Sequence, residues 1–396
     1  ALPAGNNWTL VGVVGIRDEV RPESVTAINE VKGAGVQVVM ITGDRKETAV
    51  AIAKEAGLLE KESDVVLTSD ELAKLSDDEI KSKLRDIRVI ARALPSDKSR
   101  LVRLAQELDL VAGMTGDGVN DSPALKKADV GFAMGGGTEV AKEASDIVIL
   151  DDNFNSIDRA ILYGRTIFNS IRKFIVFQLT INVAAVLISF ICPLLNLANP
   201  LSVIQILWVN LVMDTLAALA FGGEPALTRF MKEKPKRRNE PIISKNMMSQ
   251  IITGAGWTFI LSLALLLLGS LPASELTPET SILESWGLIR ESNIMGEAHA
   301  YLHTAYFAFF IFIAVFNAFN ARTDRMNLFD NLGKNKGFLT VFGIIAVVQV
   351  IMTYLGGAIL GGYGLNVTEW LVVLVMGISI IPIDLIRKSV VGTKNG

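Results

Sequence analysis

The stretch Thr115-Gly116-Asp117-Gly118-Val119-Asn120-Asp121 sets two carboxylates among glycines. It follows an apolar run from Leu108 to Met114 and precedes Pro123-Ala124-Leu125-Lys126-Lys127. The run reads as a buried strand and the proline-led stretch as a helix start. Asp117 and Asp121 therefore fall at the carboxyl end of a strand, where open α/β sheets hold their ligands. The glycines let the backbone turn sharply and come close to whatever is bound. Such a pair suits a hard cation such as Mg²⁺, which takes one or two carboxylates and fills its shell with water or phosphate oxygens. Taken alone, the stretch is equally well an Asp/Gly turn joining a strand to a helix.

Two other stretches point to the same end of the sheet. Val36–Ile41 reads as a strand and ends in Thr42-Gly43-Asp44, ahead of a helical pattern. A hydroxyl, a glycine amide and a helix N-terminus together make an anion cradle, although Thr-Gly-Asp is also common in simple caps. Lys98 stands in Pro95-Ser96-Asp97-Lys98-Ser99, at a helix start. A cation in the first turn opposes the helix dipole, which favours a local function for Lys98 over helix stabilisation; a solvated lysine is the plainer alternative. A phosphate cradle, a lysine and paired carboxylates at neighbouring strand ends suit phosphoryl transfer, in which catalysis is mostly positioning and charge neutralisation.

The elements that must position these groups alternate along the first part of the chain. Strands are expected at Trp8–Gly15, Val36–Ile41, Arg88–Ala91, Leu110–Met114, Val130–Met134 and Ile147–Leu150. Helices are expected at Pro22–Ala34, Glu47–Ala56, Ser96–Glu107 and Pro123–Ala128. Alternation with continuously apolar strands predicts an α/β doubly wound parallel sheet covered by helices on both faces. The charged segment Lys61–Arg85 reads as a surface excursion, with Ser69-Asp70-Glu71 and Ser76-Asp77-Asp78 as helix caps. Gly135-Gly136-Gly137 reads as a loop before a short helix, with no chemistry of its own.

Composition divides the chain. Half of its 396 residues are hydrophobic, and long uncharged runs fill most of 174–390. That predicts a soluble domain over 1–153 and a stalk plus all-α transmembrane domain over 154–396. The net charge of −3 gives no sign of a nucleic-acid partner. The single cysteine, Cys192, excludes an internal disulfide framework. Ala1–Val14 lacks the pattern of a cleavable signal peptide, and with no initiator Met the chain reads as a piece of something longer.

Phe154–Lys173 is helical in pattern and carries Arg159, Arg165, Arg172 and Lys173. It continues unbroken into the apolar Phe174–Leu195, as a helix that begins in water and enters a bilayer. Further spans are expected at 201–222, 249–271, 301–320, 337–360 and 367–386, near the ~20 residues a crossing needs. Basic residues at 232–238, 322–336 and 387–388 occupy alternate loops and the tail, while the opposite loops are uncharged or acidic. The positive-inside rule then puts the soluble domain and the C-terminus in the cytoplasm.

Within the spans, Asp214 is the informative residue. A carboxylate at bilayer depth is costly and marks a function by default, with interhelical hydrogen bonding as the alternative. Asn210 lies one turn earlier on the same face of a regular helix. Gln178, Thr180 and Asn182 come from the preceding span, and Asn182 is placed either to reach the same cavity or to join helices. One carboxylate with amide oxygens is an oxygen-only set suited to a hard cation such as Ca²⁺. His299 and His303 read as interfacial, and Pro382 as a kink near the end of the last span.

Met40-Ile41-Thr42-Gly43-Asp44, Pro95-Ser96-Asp97-Lys98 and Met114–Asp121 resemble the phosphorylation domain of P-type cation pumps, a haloacid dehalogenase-like fold. The resemblance implies Asp117 as the Mg²⁺ ligand, Asn120 and Asp121 shaping the same site, and Thr42, Gly43, Asp44 and Lys98 contacting the phosphoryl group. The family's Asp-Lys-Thr-Gly-Thr phosphoacceptor motif does not occur here. It is expected upstream, with the ATP-binding domain, the actuator domain and the first four helices, and this chain alone is expected to be inactive. Phe177–Val183, Trp208–Ala217 and Phe316–Arg322 resemble the fifth, sixth and eighth helices of calcium-transporting members, closest to the plasma-membrane type. Ala185 and Met213 stand where the sarcoplasmic-reticulum type carries a Glu and a Thr, and span 301–320 lacks its carboxylate. The resemblance therefore implies calcium export at the cell membrane, one Ca²⁺ per cycle, with Asn210, Asp214 and Asn182 at the site and an upstream Glu completing it. A truncated, non-catalytic pump relative and a pump for another cation are the competing expectations.

Overall fold

The computed structural model describes residues 11–12, 14, 19–274, 277–292 and 299–391. The expected first strand, Trp8–Gly15, lies largely outside the described residues. The chain forms two compact units. The first is Ala1–Leu162 with Thr228–Glu240, and the second is Tyr163–Leu227 with Pro241–Gly396.

In chain order the first unit runs α1 (Pro22–Gly33), β1 (Met40–Ile41), α2 (Lys46–Glu55), β2 (Val65–Thr68), α3 (Ser69–Ala73), α4 (Asp77–Lys83), β3 (Ile87–Ala91), α5 (Pro95–Glu107), β4 (Gly113–Gly116), α6 (Ser122–Lys127), β5 (Val130–Met134), α7 (Glu139–Glu143) and β6 (Ile147–Ile149). Among the described residues all its strand pairs are parallel, as crossover helices require, but they form two three-stranded sheets, ordered β1-β3-β2 and β4-β5-β6. In the first sheet Val89 and Ala91 pack with Ile28, Ala49 and Ala53 of α1 and α2. Ile90 joins Leu72, Ile80, Leu101 and Leu104 of α3, α4 and α5. In the second, Met114 and Ala133 meet Val102, Leu125 and Ala141, while Phe132 and Ile149 meet Ile157.

The segment 61–85 is not a surface excursion. It supplies β2, α3 and α4, and Leu72 and Ile80 have no exposed surface. Its charges hid a short apolar stripe spaced for helices. Ser76 caps α4 as expected, closing a capping box with Glu79, but the cap of α3 is Thr68, which closes its box with Glu71 and frees Ser69 for another contact. The basic stretch 232–238, legible in the sequence only as a topology signal, lies in the soluble unit. Arg238 pairs with Asp129 at 3.0 Å, and the N–H groups of Arg238 and Asn239 donate to Asp109.

The second unit contains α8 (Phe154–Leu194), whose first residues belong to the soluble unit, and α9 (Val203–Leu207). A π-helical segment, Trp208–Met213, leads into α10 (Asp214–Gly222). There follow α11 (Lys245–Ser270), β7 (Pro272–Ser274), β8 (Thr277–Ser281), α12 (Ile282–Ser285), α13 (Ala300–Arg322), α14 (Lys336–Leu355), α15 (Gly357–Leu360), α16 (Val367–Ile378) and α17 (Ile380–Val391). Among the described residues six helical stretches are long and apolar enough to cross a membrane: Phe154–Leu194, Val203–Gly222, Lys245–Ser270, Ala300–Arg322, Lys336–Leu355 and Val367–Val391. α13 runs through the middle, with Tyr306, Phe309, Ile311 and Ala314 fully buried. Phe177, Phe221, Phe338 and Phe342 pack around one another in tilted and edge-on pairs. The last span breaks at Ser379, so Pro382 falls in the first turn of α17, where its missing N–H costs no helical bond.

Leu104 lies at 0 % exposure between α5 and the β1-β3-β2 sheet. Leu104→Ala should therefore lower the stability of the soluble unit by about 2–5 kcal/mol, read as a fall in its denaturant midpoint.

Candidate functional site

Asp121 is the most constrained residue of the Asp117 loop. It follows β4 by a single 3₁₀ turn, Val119–Asp121, and is 6 % exposed. One oxygen accepts from the Lys98 ammonium at 2.5 Å. The other accepts the N–H groups of Asp117 and Gly118, each at 3.2 Å. Burial alone would raise the Asp121 carboxyl, but Lys98 and the two amides outweigh it and hold the group below the ordinary carboxylate range. Gly116 is required by this arrangement, because a Cβ there would lie 2.4 Å from the Asp121 Cβ.

Lys98 is positioned in turn. Asp97, 7 % exposed, accepts the Leu94 N–H at 2.9 Å and the Ser69 hydroxyl at 2.6 Å, which pins the first turn of α5. Ser69 gave no sign of this in the sequence. Only its place beside a capping box, with a hydroxyl the cap leaves over, points to it.

Asp117 itself is exposed, and its carboxylate makes no hydrogen bond or ion pair among the described residues. Asn120 is exposed as well. A free carboxylate at a strand end, with Asp121 locked behind it, fits a Mg²⁺ ion held by one protein oxygen plus water and phosphate. The locked Asp121 fits a residue that shapes the loop better than one that donates a metal bond. Thr42, Gly43 and Asp44 form a second cluster. The Thr42 hydroxyl donates to Asp44 at 3.0 Å, and the N–H groups of Arg92 and Ala93 donate to the carbonyls of Asp44 and Thr42 at 2.9 Å. These bonds join the cradle to the turn after β3, and none joins it to the Asp117 loop. The structure thus brings Lys98 and Asp121 together and ties Asp117 to them. Thr42–Asp44 remain a separate group at the end of β1.

The glycine run, set aside in the sequence, abuts this loop. The Thr138 N–H donates to the Asp117 carbonyl at 2.8 Å, and a Cβ on Gly137 would meet that oxygen at 2.9 Å.

In the second unit Asp214 is 5 % exposed and accepts from the Gln178 amide at 3.1 Å. Asn210, four residues ahead of Asp214, is exposed while Asp214 is buried, and the segment between them, Trp208–Met213, is π-helical. Asn182 is half-buried, and neither asparagine hydrogen-bonds to Asp214. The residue the structure sets against the carboxylate is Gln178, four positions before Asn182, which was expected either to reach that cavity or to join helices; the Thr180 hydroxyl donates to the Val176 carbonyl.

Comparison with known proteins bears on both units. Residues 3–129 and 102–161 match models of haloacid dehalogenase-like hydrolases, and 198–390 match the cation transporting ATPase C-terminus. The chain belongs to the P-type cation-transporting ATPase family. Among its relatives, calcium-transporting ATPase PAT1 of Dictyostelium discoideum is 37 % identical over 98 % of this chain and 36 % of its own length. Plasma membrane calcium-transporting ATPase 1 of Mus musculus is 38 % identical over 92 % of this chain and 30 % of its own length. Calcium-transporting ATPase 12, plasma membrane-type, of Arabidopsis thaliana is 41 % identical over 87 % of this chain and 32 % of its own length. The chain spans about a third of the length of these curated relatives. The haloacid dehalogenase-like domain and the six apolar helices expected of this family are both present, which makes it a multi-pass membrane protein.

Replacing Lys98 by Met should leave Asp121 buried without its cation. The cost should be about 2 kcal/mol, below the ~3–5 of a fully buried pair, because 19 % of the Lys98 side chain is open to water. The sign of the pH effect follows. A carboxyl held below its unfolded value of about 3.9 stabilises the fold above that pH and loses its contribution as the pH falls through the lowered value. In Lys98→Met the Asp121 value rises, so acid unfolding should begin at higher pH than in the wild type, as followed by the unfolding midpoint against pH.

Proposed function

We propose that this chain is the C-terminal portion of an ATP-driven pump that exports Ca²⁺ from the cytoplasm. In it the first unit works on phosphate and the second holds part of the ion site. The observation that carries the reading is the presence, in one chain, of a Lys98-locked Asp117 loop and a buried mid-span carboxylate, Asp214, beside a π turn. The calcium-transporting names of its relatives support the choice of ion.

In the whole pump Asp117 would hold Mg²⁺, which supplies charge neutralisation to a phosphoryl group in transfer. Lys98 keeps Asp121 ionised and in place, and Asp121 in turn fixes the amides of Asp117 and Gly118. Thr42 and the Gly43 amide present a donor set for phosphate oxygens. Asn120 shapes the mouth of the same loop. ATP binding, the phosphoacceptor aspartate and the actuator domain belong to the upstream part, together with four further helices.

The cargo would be held by Asp214, with Asn210 from the π segment and Asn182 from α8. An upstream Glu would complete the shell. Ala185 and Met213 offer no oxygen, and α13 has no carboxylate, which favours one Ca²⁺ per cycle. α8 begins in the soluble unit and carries Gln178 and Asn182 on the same continuous helix, so it is the natural rod between the two chemistries. The soluble unit and the tail lie on the cytoplasmic side in this reading, by the placement of the basic loops.

The full-length protein in membrane vesicles tests this. Calcium-dependent phosphorylation by ATP is expected, with a calcium dependence that is not cooperative. Asp214→Asn should lose calcium-dependent phosphorylation while still accepting inorganic phosphate, and Asp117→Asn should lose both. Phosphorylation indifferent to calcium on the order of micromolar, where such pumps must select it against Mg²⁺, would exclude the calcium reading.

A further inference from the structure

We propose that Asp152 is a positioning residue that ties the Asp117 loop to the first turn of α8. Its two oxygens both accept the Gly136 N–H, at 3.0 and 3.2 Å. From there the connection runs in two directions. On one side Gly137 packs so tightly on Asp117 that a Cβ would meet the Asp117 Cα at 3.1 Å, and the Thr138 N–H donates to the Asp117 carbonyl. The Asp117 N–H then reaches Asp121 and so Lys98. On the other side the flanking residues start the helix. The Asp151 carboxylate accepts the Ser156 hydroxyl at 2.8 Å, and the Asn153 side chain accepts the Asn155 N–H at 3.0 Å.

The glycines explain why this connection is close. A side chain on Gly136 would meet the Asp152 carboxylate at 2.9 Å, and one on Gly135 would meet the Leu150 carbonyl at 2.9 Å. Asp152 itself has a φ of 50°, in the left-handed region. Glycine would adopt that conformation with less strain, so what Asp contributes there is its carboxylate. A displacement of the Asp117 loop is thereby passed to the residues that begin α8, and beside the backbone bond from the Gly135 N–H to the Ile149 carbonyl at 2.8 Å the passage runs through one side chain. The consequence for transport rests on the proposed function; the tie itself does not.

Two substitutions in the full-length protein separate backbone from side chain. Asp152→Gly keeps the left-handed turn and removes the acceptor, whereas Asp152→Asn keeps the turn and one acceptor oxygen. Hydrogen exchange across 134–140 should be about fivefold faster in Asp152→Gly, the effect of losing one hydrogen bond, and close to wild type in Asp152→Asn. The calcium carried per ATP hydrolysed should fall by about twofold or more in Asp152→Gly, with the level of phosphorylation by ATP unchanged, and should recover in Asp152→Asn. Unchanged exchange in Asp152→Gly overturns the tie. Faster exchange with an unchanged calcium-to-ATP ratio overturns its part in coupling. If the wild type shows no calcium-dependent phosphorylation, the pump reading fails, and the exchange comparison still decides the tie.

Discussion

The soluble site depends on keeping the Asp121 carboxylate charged where water hardly reaches it. A buried carboxylate without partners takes up a proton or unfolds its surroundings. Here one cation and two amides share the load, and each comes from a different part of the fold. Lys98 stands on α5, whose first turn is held by Asp97 and Ser69, and the amides belong to the loop after β4. Satisfying one group thus fixes the relation between two sheets' loops. The same bonds leave Asp117 with nothing to do but face outward. A free carboxylate on a rigid loop differs from a free carboxylate on a flexible one, because its position has already been determined before any ligand arrives.

The membrane unit solves the equivalent problem differently. Asp214 has an amide partner, Gln178, and no cation. In the proposed reading an ion-paired carboxylate would be a poor ligand for a transported cation, since the pair would have to be broken at each cycle, whereas a single neutral partner would keep the group oriented and leave its second oxygen for cargo. The π segment Trp208–Met213 interrupts the regular α-helical ladder immediately before Asp214.

Much of this was legible in residue types. Strand ends bearing Thr42, Lys98 and Asp117 stood out because charged and hydroxyl groups follow apolar runs there, and the six spans stood out because lipid demands long uncharged helices. The places that were hard to read share a cause. β2, α3 and α4 were masked by charges on their exposed faces, since 61–85 buries a narrow stripe that includes Leu72 and Ile80. Ser69 looked like a cap because caps and tertiary partners use the same hydroxyl. The π turn at 208–213 has no local sequence marker, and periodicity alone did not show that Asn210 is exposed while Asp214 is buried. Gln178 was visible as polar, but which of Gln178, Thr180 and Asn182 meets Asp214 depends on helix rotation, which packing against α10 and α11 decides.

Gly135-Gly136-Gly137 is the most instructive of these cases. Three glycines in a row normally signal a loose linker, and here they do the reverse. Gly135 and Gly137 are required by close approach to the Leu150 carbonyl and the Asp117 backbone, and Gly136 between them faces the Asp152 carboxylate. Removing side chains lets backbone pack on backbone, and backbone contacts are stiffer than those made through a rotatable side chain. A loop built this way behaves as a spacer of fixed thickness between the Asp117 loop and the start of a long helix. That stiffness is what the proposed mechanical connection needs, for a compliant linker would absorb a small displacement rather than pass it on.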